Sequence, residues 1–255
     1  MKIILIILIV VSVMLPVKAQ VKPTSVKKAV FFMQTSPLRE MFPIIKQKNA
    51  ESEENPEHAH DCIPVNIHDK LFQETKDIQR EFGQQDIVKT ILNFEGINNV
   101  QNVIPPDPVG DIGKDHYVQA VNMLFAIFNK SGSILYGPAS LLTIWQEAPG
   151  IWSKYSNGDP IINYDEDSDR WIISELSAPF HPEGPYFIKI AVSEANDPTG
   201  SWYLYAYEYD NYCDYPKFGI WHDGYYMTSN NNYWTGDEWN FHAVGISVFE
   251  KDSMI

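Results

Sequence analysis

The chain has 255 residues, a formal net charge of −14 at pH 7 and 44% hydrophobic residues, enough apolar material to bury the core of one large domain. Its acidity excludes nucleic acid as a partner, because phosphate binding needs clustered Lys and Arg. Aromatics at 13%, 17 prolines and few segments of helical periodicity point to an all-β protein.

Residues 1–19 carry one early cation, Lys2, an apolar run from Ile3 to Leu15, and Val17-Lys18-Ala19 ahead of Gln20. This is the pattern of a secretory signal peptide; the run is short of the roughly 18 apolar residues that a membrane anchor needs. The expected location is secreted or on the outer cell surface, with no transmembrane segment after cleavage. Residues 20–92 are polar and broken by prolines, and read as an extended arm or linker that cannot bury enough apolar surface to fold alone. Within it, His58, His60 and Cys62 alternate as they would on one side of a strand, a pattern that suits transition metals or a solvated polar loop. The two cysteines, Cys62 and Cys213, could form a disulfide in an oxidising compartment, although sequence does not fix their separation. Residues 69–92 have loosely helical spacing, and Ile91 to Ile97 reads as one short strand.

From residue 107 the pattern repeats. The clearest unit, Gly158 to Tyr209, holds four runs of alternating or β-branched and aromatic residues: Pro160 to Tyr164, Arg170 to Leu176, Tyr186 to Ser193 and Ser201 to Tyr209. The turns between them, Asp165 to Asp169 and Asn196 to Gly200, hold residues that adopt turn dihedrals cheaply. An earlier copy predicts strands at Pro108 to Gly113, His116 to Asn122, Leu124 to Asn129 and Ser133 to Gly137. A later one predicts Pro216 to Trp221, Tyr225 to Asn231 and Ala243 to Glu250. The starting prolines 108, 160 and 216 are 52 and 56 residues apart, a spacing that signals radial or stacked repeats. Four-stranded units of this length are the blades of a β-propeller. The expectation is therefore a partial β-propeller over residues 93–255, with blades at about 107–137, 159–209 and 214–255, two whole and the third truncated. Because a propeller needs roughly four to eight blades, this reading makes the chain a fragment of a larger protein; the other reading is an open stack with exposed sheet edges.

The segments PLREMFP, NFEGINN, PPDPVGDIGKDHYVQAVN, GDPIINYDEDSDRWIISEL, SEANDPTGSWYLYAYEY and DYPKFGIWHDGYYMTSN resemble the N-terminal region of the large, mostly uncharacterised secreted β-propeller proteins of Bacteroidota. The resemblance covers nearly all of the chain after the leader, and it implies further modules downstream. The turn Asp197 to Trp202 is also similar to those of family-43 glycoside hydrolases and of sialidase-type propellers, where it is mainly structural.

Blade geometry places Asp107, Asp159 and Asp214 on one rim with the loops 177–185 and 232–241. Those loops offer Phe180, His181, Glu183, Tyr233, Trp234, Asp237, Glu238 and Trp239, groups that recognise sugars and other polar ligands through flat apolar faces and oriented carboxylates. The three Asp residues also suit a structural job at each strand start. Asp165, Asp167 and Asp169, on the opposite face, have the alternation of a calcium loop but lack its Gly and distal Glu. Three functions follow. The first is an exported non-catalytic binding or surface-scaffold domain, whose partner is a glycan or a surface protein. The second is a glycoside hydrolase with Asp107 or Asp159 as base and Glu183 as acid, which requires carboxylates about 5 to 9.5 Å apart. The third is a purely structural adhesin module. No serine nucleophile motif or phosphate loop appears, and no cofactor other than calcium is expected.

Overall fold

A computed structural model describes residues 25–45, 92–98, 103 and 105–254. The leader, the His58–His60–Cys62 cluster and the loosely helical stretch lie outside the described residues, Leu92 excepted. Twelve strands are described: β1 (Phe31–Gln34), β2 (Pro108–Ile112), β3 (His116–Val121), β4 (Leu124–Asn129), β5 (Ile134–Ser140), β6 (Ile161–Asp165), β7 (Arg170–Ser177), β8 (Tyr186–Ser193), β9 (Trp202–Tyr209), β10 (Tyr212–Trp221), β11 (Gly224–Trp234) and β12 (Trp239–Glu250). One short helix, α1 (Leu142–Trp145), and three 3₁₀ turns complete the order. Among the described residues no helix is long and apolar enough to cross a membrane.

The strands form three antiparallel sheets, ordered β2-β3-β4-β5, β1-β9-β8-β7-β6 and β10-β11-β12. All three are open, and none closes or curls on itself. The protein is all-β, but the partial propeller of four-stranded blades is overturned: the sheets hold four, five and three strands. The repeat is real at the level of the hairpin meander, which local turn chemistry fixes. Closure depends on how whole sheets sit on one another, and the 52- and 56-residue spacing carries no information about that.

The five-stranded sheet is the middle layer. Trp171, Ile173, Phe187, Ala191, Trp202 and Leu204 bury one face in a core shared with Val118, Ala120, Phe125 and Ile127 of the four-stranded sheet and with Ile144, Trp145 and Trp152 beside it. The intervening residues Ile172, Leu176, Ile188, Ile190 and Val192 bury the other face against Tyr225, Met227 and Phe249 of the three-stranded sheet. Side chains alternate between faces along a strand, so a strand covered on both sides must be apolar or internally paired at every position. That is why β7 and β8 read as near-continuous apolar runs, RWIISELS and YFIKIAVS.

Two departures from the predicted elements come from the N-terminal side. Phe31–Gln34, inside the presumed arm, adds a fifth strand to the edge at β9, pairing Phe31 with Ala206 and Gln34 with Tyr203. It is anchored by Phe31 against Trp152, with ring centroids 5.0 Å apart. Of the strand predicted at Ile91 to Ile97, the described residues Leu92 to Ile97 join no ladder. Instead Phe94 packs against Tyr117 and Phe128, and Ile97 N donates to the Gln119 side chain at 2.7 Å, so a side chain replaces the neighbouring strand as its partner.

Candidate binding site

An X-Pro step opens β2, immediately precedes β6 and lies inside β10, and the residue before proline has left-handed backbone: Asp107 (φ 41°), Asp159 (φ 53°) and Tyr215 (φ 51°). This conformation is uncommon outside glycine, and Asp reaches it more readily than most residues because its short side chain bonds locally. The repeated Asp therefore has a backbone job in the first two sheets. In the third, Tyr215 holds the equivalent place and Asp214 stands one residue earlier, which corrects the expected equivalence of the three carboxylates.

Asp159 ties neighbouring sheets together: its Oδ2 accepts from Tyr215 N at 2.9 Å. Asp111 does the same between β2 and β6, accepting from Tyr164 N at 2.8 Å. Burial raises the Asp159 carboxyl above the usual carboxylate range, opposed by the Tyr215 amide and by Lys217. Burial also raises Asp107, and the nearby Asp159 charge adds to it. Lys217 lies over the Tyr215 ring, with Nζ 3.6 Å from the centroid.

The aromatic residues expected on the loops do converge, and they recruit two that sequence reasoning passed over. The loop 178–185 and the tip of the β11–β12 hairpin meet over Tyr186 and Tyr212. Trp239 lies 5.1 Å from Tyr212, 5.5 Å from His181 and 5.5 Å from Trp234, centroid to centroid. Tyr186 and Tyr212 meet edge to face at 5.6 Å. Such tilted and T-shaped contacts are the arrangement that aromatic quadrupoles favour. Tyr186 is buried and its hydroxyl donates to Pro182 O at 2.7 Å. Tyr212, Trp234 and Trp239 are half-buried, while His181 and Glu183 are exposed. Burial raises the Tyr212 phenol well above its ordinary value, with Asp159 and then Asp214 adding to the shift. The charges of Asp159 and Asp214 thus act on this aromatic wall at Tyr212. The hairpin that carries Trp234 and Trp239 is longer than predicted: β11 and β12 run past 232 and 241, leaving 235–238 as the turn.

Other predicted sites come apart. Three open sheets form no propeller, so the rim that blade geometry assigned to Asp107, Asp159, Asp214 and the two loops is withdrawn. Glu183 sits in the tight turn bridged to Phe180, its N–H donating to Phe180 O at 2.8 Å; this fixes its backbone, and Asp159 is occupied with a neighbouring sheet. Cys213 is a buried, free thiol, and Cys62, with which a disulfide was possible, lies outside the described residues.

Two of the three carboxylates proposed for calcium, Asp165 and Asp169, are paired with lysines. Asp165 is buried and pairs with Lys251 Nζ, 2.8 Å from Oδ2, and it also accepts from the Tyr225 hydroxyl at 3.2 Å. Asp169 pairs with Lys114 at 2.9 Å and accepts from the Tyr164 hydroxyl. Asp167 is exposed. Among the described residues no group of three or more His, Cys, Asp or Glu could hold a metal ion. A hard cation needs several converging oxygens, and these point to different lysines instead.

Sequence reasoning also missed a second buried ion pair. Glu175 of β7 and Lys189 of β8 stand directly opposite in the ladder. Both are wholly buried, with Nζ 2.8 Å from Oε1. Lys189 also donates to Tyr155 O at 2.8 Å and lies 5.1 Å from the Trp145 ring. The signal was one charge in the middle of each apolar strand; only the register shows that the two are partners.

No protein-family model, no curated protein and no solved structure matches this chain.

Proposed function

We propose that the protein is an exported, non-catalytic binding module that engages another cell-surface protein through the aromatic wall of His181, Tyr186, Tyr212, Trp234 and Trp239. The carrying observation is the convergence of these side chains from two sheets and a loop, with Tyr212, Trp234 and Trp239 half-buried and the charges of Asp159 and Asp214 acting on Tyr212. Aromatic residues whose faces are partly desolvated before binding lose little rotamer freedom on contact, which is why Trp and Tyr dominate binding hot spots. The adjoining carboxylates favour a partner with a cationic rim. Export rests on the leader pattern of residues 1–19 and on the sequence resemblance to large secreted bacterial proteins.

The test is binding of labelled protein to the outer surface of the cells that produce it, comparing the parent with Trp239→Ala and Tyr212→Ala. Saturable, protease-sensitive binding that both variants lose supports the proposal. Equal binding by parent and variants, or binding that survives protease treatment of the cells and is competed by their glycans, sinks it. Export is checked separately: mass spectrometry of the mature protein should place its first residue at Gln20.

A further inference from the structure

We infer that β12 is a self-association edge, at which a second copy of this chain pairs antiparallel about a two-fold axis through Ile246. The three-stranded sheet ends at β12, a twelve-residue strand with no hydrogen-bonded neighbour on its far side among the described residues. Natural edge strands are normally blunted by charge, proline or shortness. From Trp239 to Phe249 this one has no Asp, Glu, Lys, Arg or Pro. The opposite treatment is visible in the middle sheet, where the edge at β9 is covered by β1, a strand distant in sequence.

The sequence of β12 selects its own copy as the occupant. A bulge near His242 interrupts the register with β11, and from Ala243 to Glu250 the ladder is regular. Antiparallel pairing centred on Ile246 sets Ile246 against Ile246, Val244 against Val248, Gly245 against Ser247, and Ala243 against Phe249. Val244, Ile246 and Val248 are 63%, 78% and 55% exposed, so the pairing joins apolar residues on one face, and β-branched cross-strand pairs are favourable there. At each end it brings His242 of one copy to Glu250 of the other, both exposed, where an imidazole N–H can donate to a carboxylate. The partners contribute the same patch to each other, so the contact is isologous and stops at two copies. The rest of the surface, at net charge −14, opposes non-specific association.

Sedimentation velocity on the full chain, from low to high micromolar concentration, tests this. The parent should show a concentration-dependent dimer. Ile246→Lys and Ile246→Glu each place like charges opposite one another on the axis and should weaken the dimer at least about tenfold. Mixing the two variants should restore it, because Lys then faces Glu. Trp221→Glu, on the same exposed face but at β10, should leave the dimer intact. Circular dichroism confirms that each variant is folded, as expected for substitutions at exposed positions. A parent that stays monomeric throughout overturns the inference. So does a mixture of folded variants that fails to dimerise, or a dimer lost equally in Trp221→Glu, which would mean that the sheets stack face to face.

Discussion

Replacing Lys189 with Met is the most demanding test of the middle sheet. Lys189 and Glu175 are both fully buried and 2.8 Å apart, and the second oxygen of Glu175 has no hydrogen-bonding partner among the described residues. Met keeps the volume of the side chain but leaves a carboxylate in an apolar core with nothing to compensate it. Breaking a buried pair from one side costs about 3 to 5 kcal/mol. At about 2 to 4 °C per kcal/mol for a domain of this size, the melting temperature should fall on the order of 10 °C. The double variant Lys189→Met/Glu175→Leu removes both charges and should recover most of the loss, since a well-packed apolar pair is often neutral or better. The pH dependence has a defined sign. Burial pulls the Lys189 ammonium below its ordinary value, against the attraction of Glu175. Between that lowered pKa and the unfolded value near about 10.4, the unfolded chain binds more protons, so this group makes stability rise with pH. Urea denaturation across alkaline pH reads both effects. A Lys189→Met single variant within about 1 kcal/mol of the parent, or a double variant as weak as the single, would refute the reasoning.

Burial alone would raise the Asp165 carboxyl, but hydrogen bonds from Lys251 and from Ser168 outweigh it and hold the pKa below the usual value. The stability it supplies is present above the unfolded pKa near about 3.9 and lost as pH falls through the folded one. Asp165→Asn should therefore destabilise at neutral pH by about 3 kcal/mol and flatten the acid limb of the unfolding profile; an unchanged acid limb counts against this. Burial pushes the Cys213 thiol up to about 12, so iodoacetamide at pH 8 should modify it only after denaturant is added, and rapid labelling of the native protein would contradict the packing. Gly137 has φ +87°, and a Cβ there would lie 2.6 Å from Phe125 O; Gly137→Ala should cost more than about 1 kcal/mol, measured as a shift in the denaturation midpoint. Calorimetric titration with millimolar calcium should give no binding heat, because Asp165 and Asp169 are held by lysines; saturable heat that Asp165→Asn abolishes would overturn that assignment.

Local rules made much of the strand order legible. Tyr186–Ser193 and Leu124–Asn129 follow directly from alternation bounded by turn residues, and most other strands differ from expectation by a residue or two. The longer β10, β11 and β12 reach beyond their predicted ends because Tyr212 and Trp239 gain aromatic contacts with Tyr186 of the middle sheet, and Trp234 with Trp239, that no local pattern records. The strand Phe31–Gln34 was hidden for the same reason: four residues in a polar arm carry little β signal, and their stability comes from β9 and Trp152, far away in sequence. The aromatic wall was half legible, since its loop residues stood out by type, whereas Tyr186 and Tyr212 looked like ordinary strand residues until tertiary packing joined them.

Sequence by itself determined the all-β class, the meander units, the acidic character and the Asp-Pro step at the first two units, because these depend on residues near one another in the chain. Tertiary structure alone decided how many strands each sheet holds and that the sheets stay open. It also decided which buried lysine meets which carboxylate, and that β12 stands at a sheet edge among the described residues. Those outcomes depend on contacts between distant segments, where geometry and desolvation outweigh local preference, and a repeat spacing does not encode them.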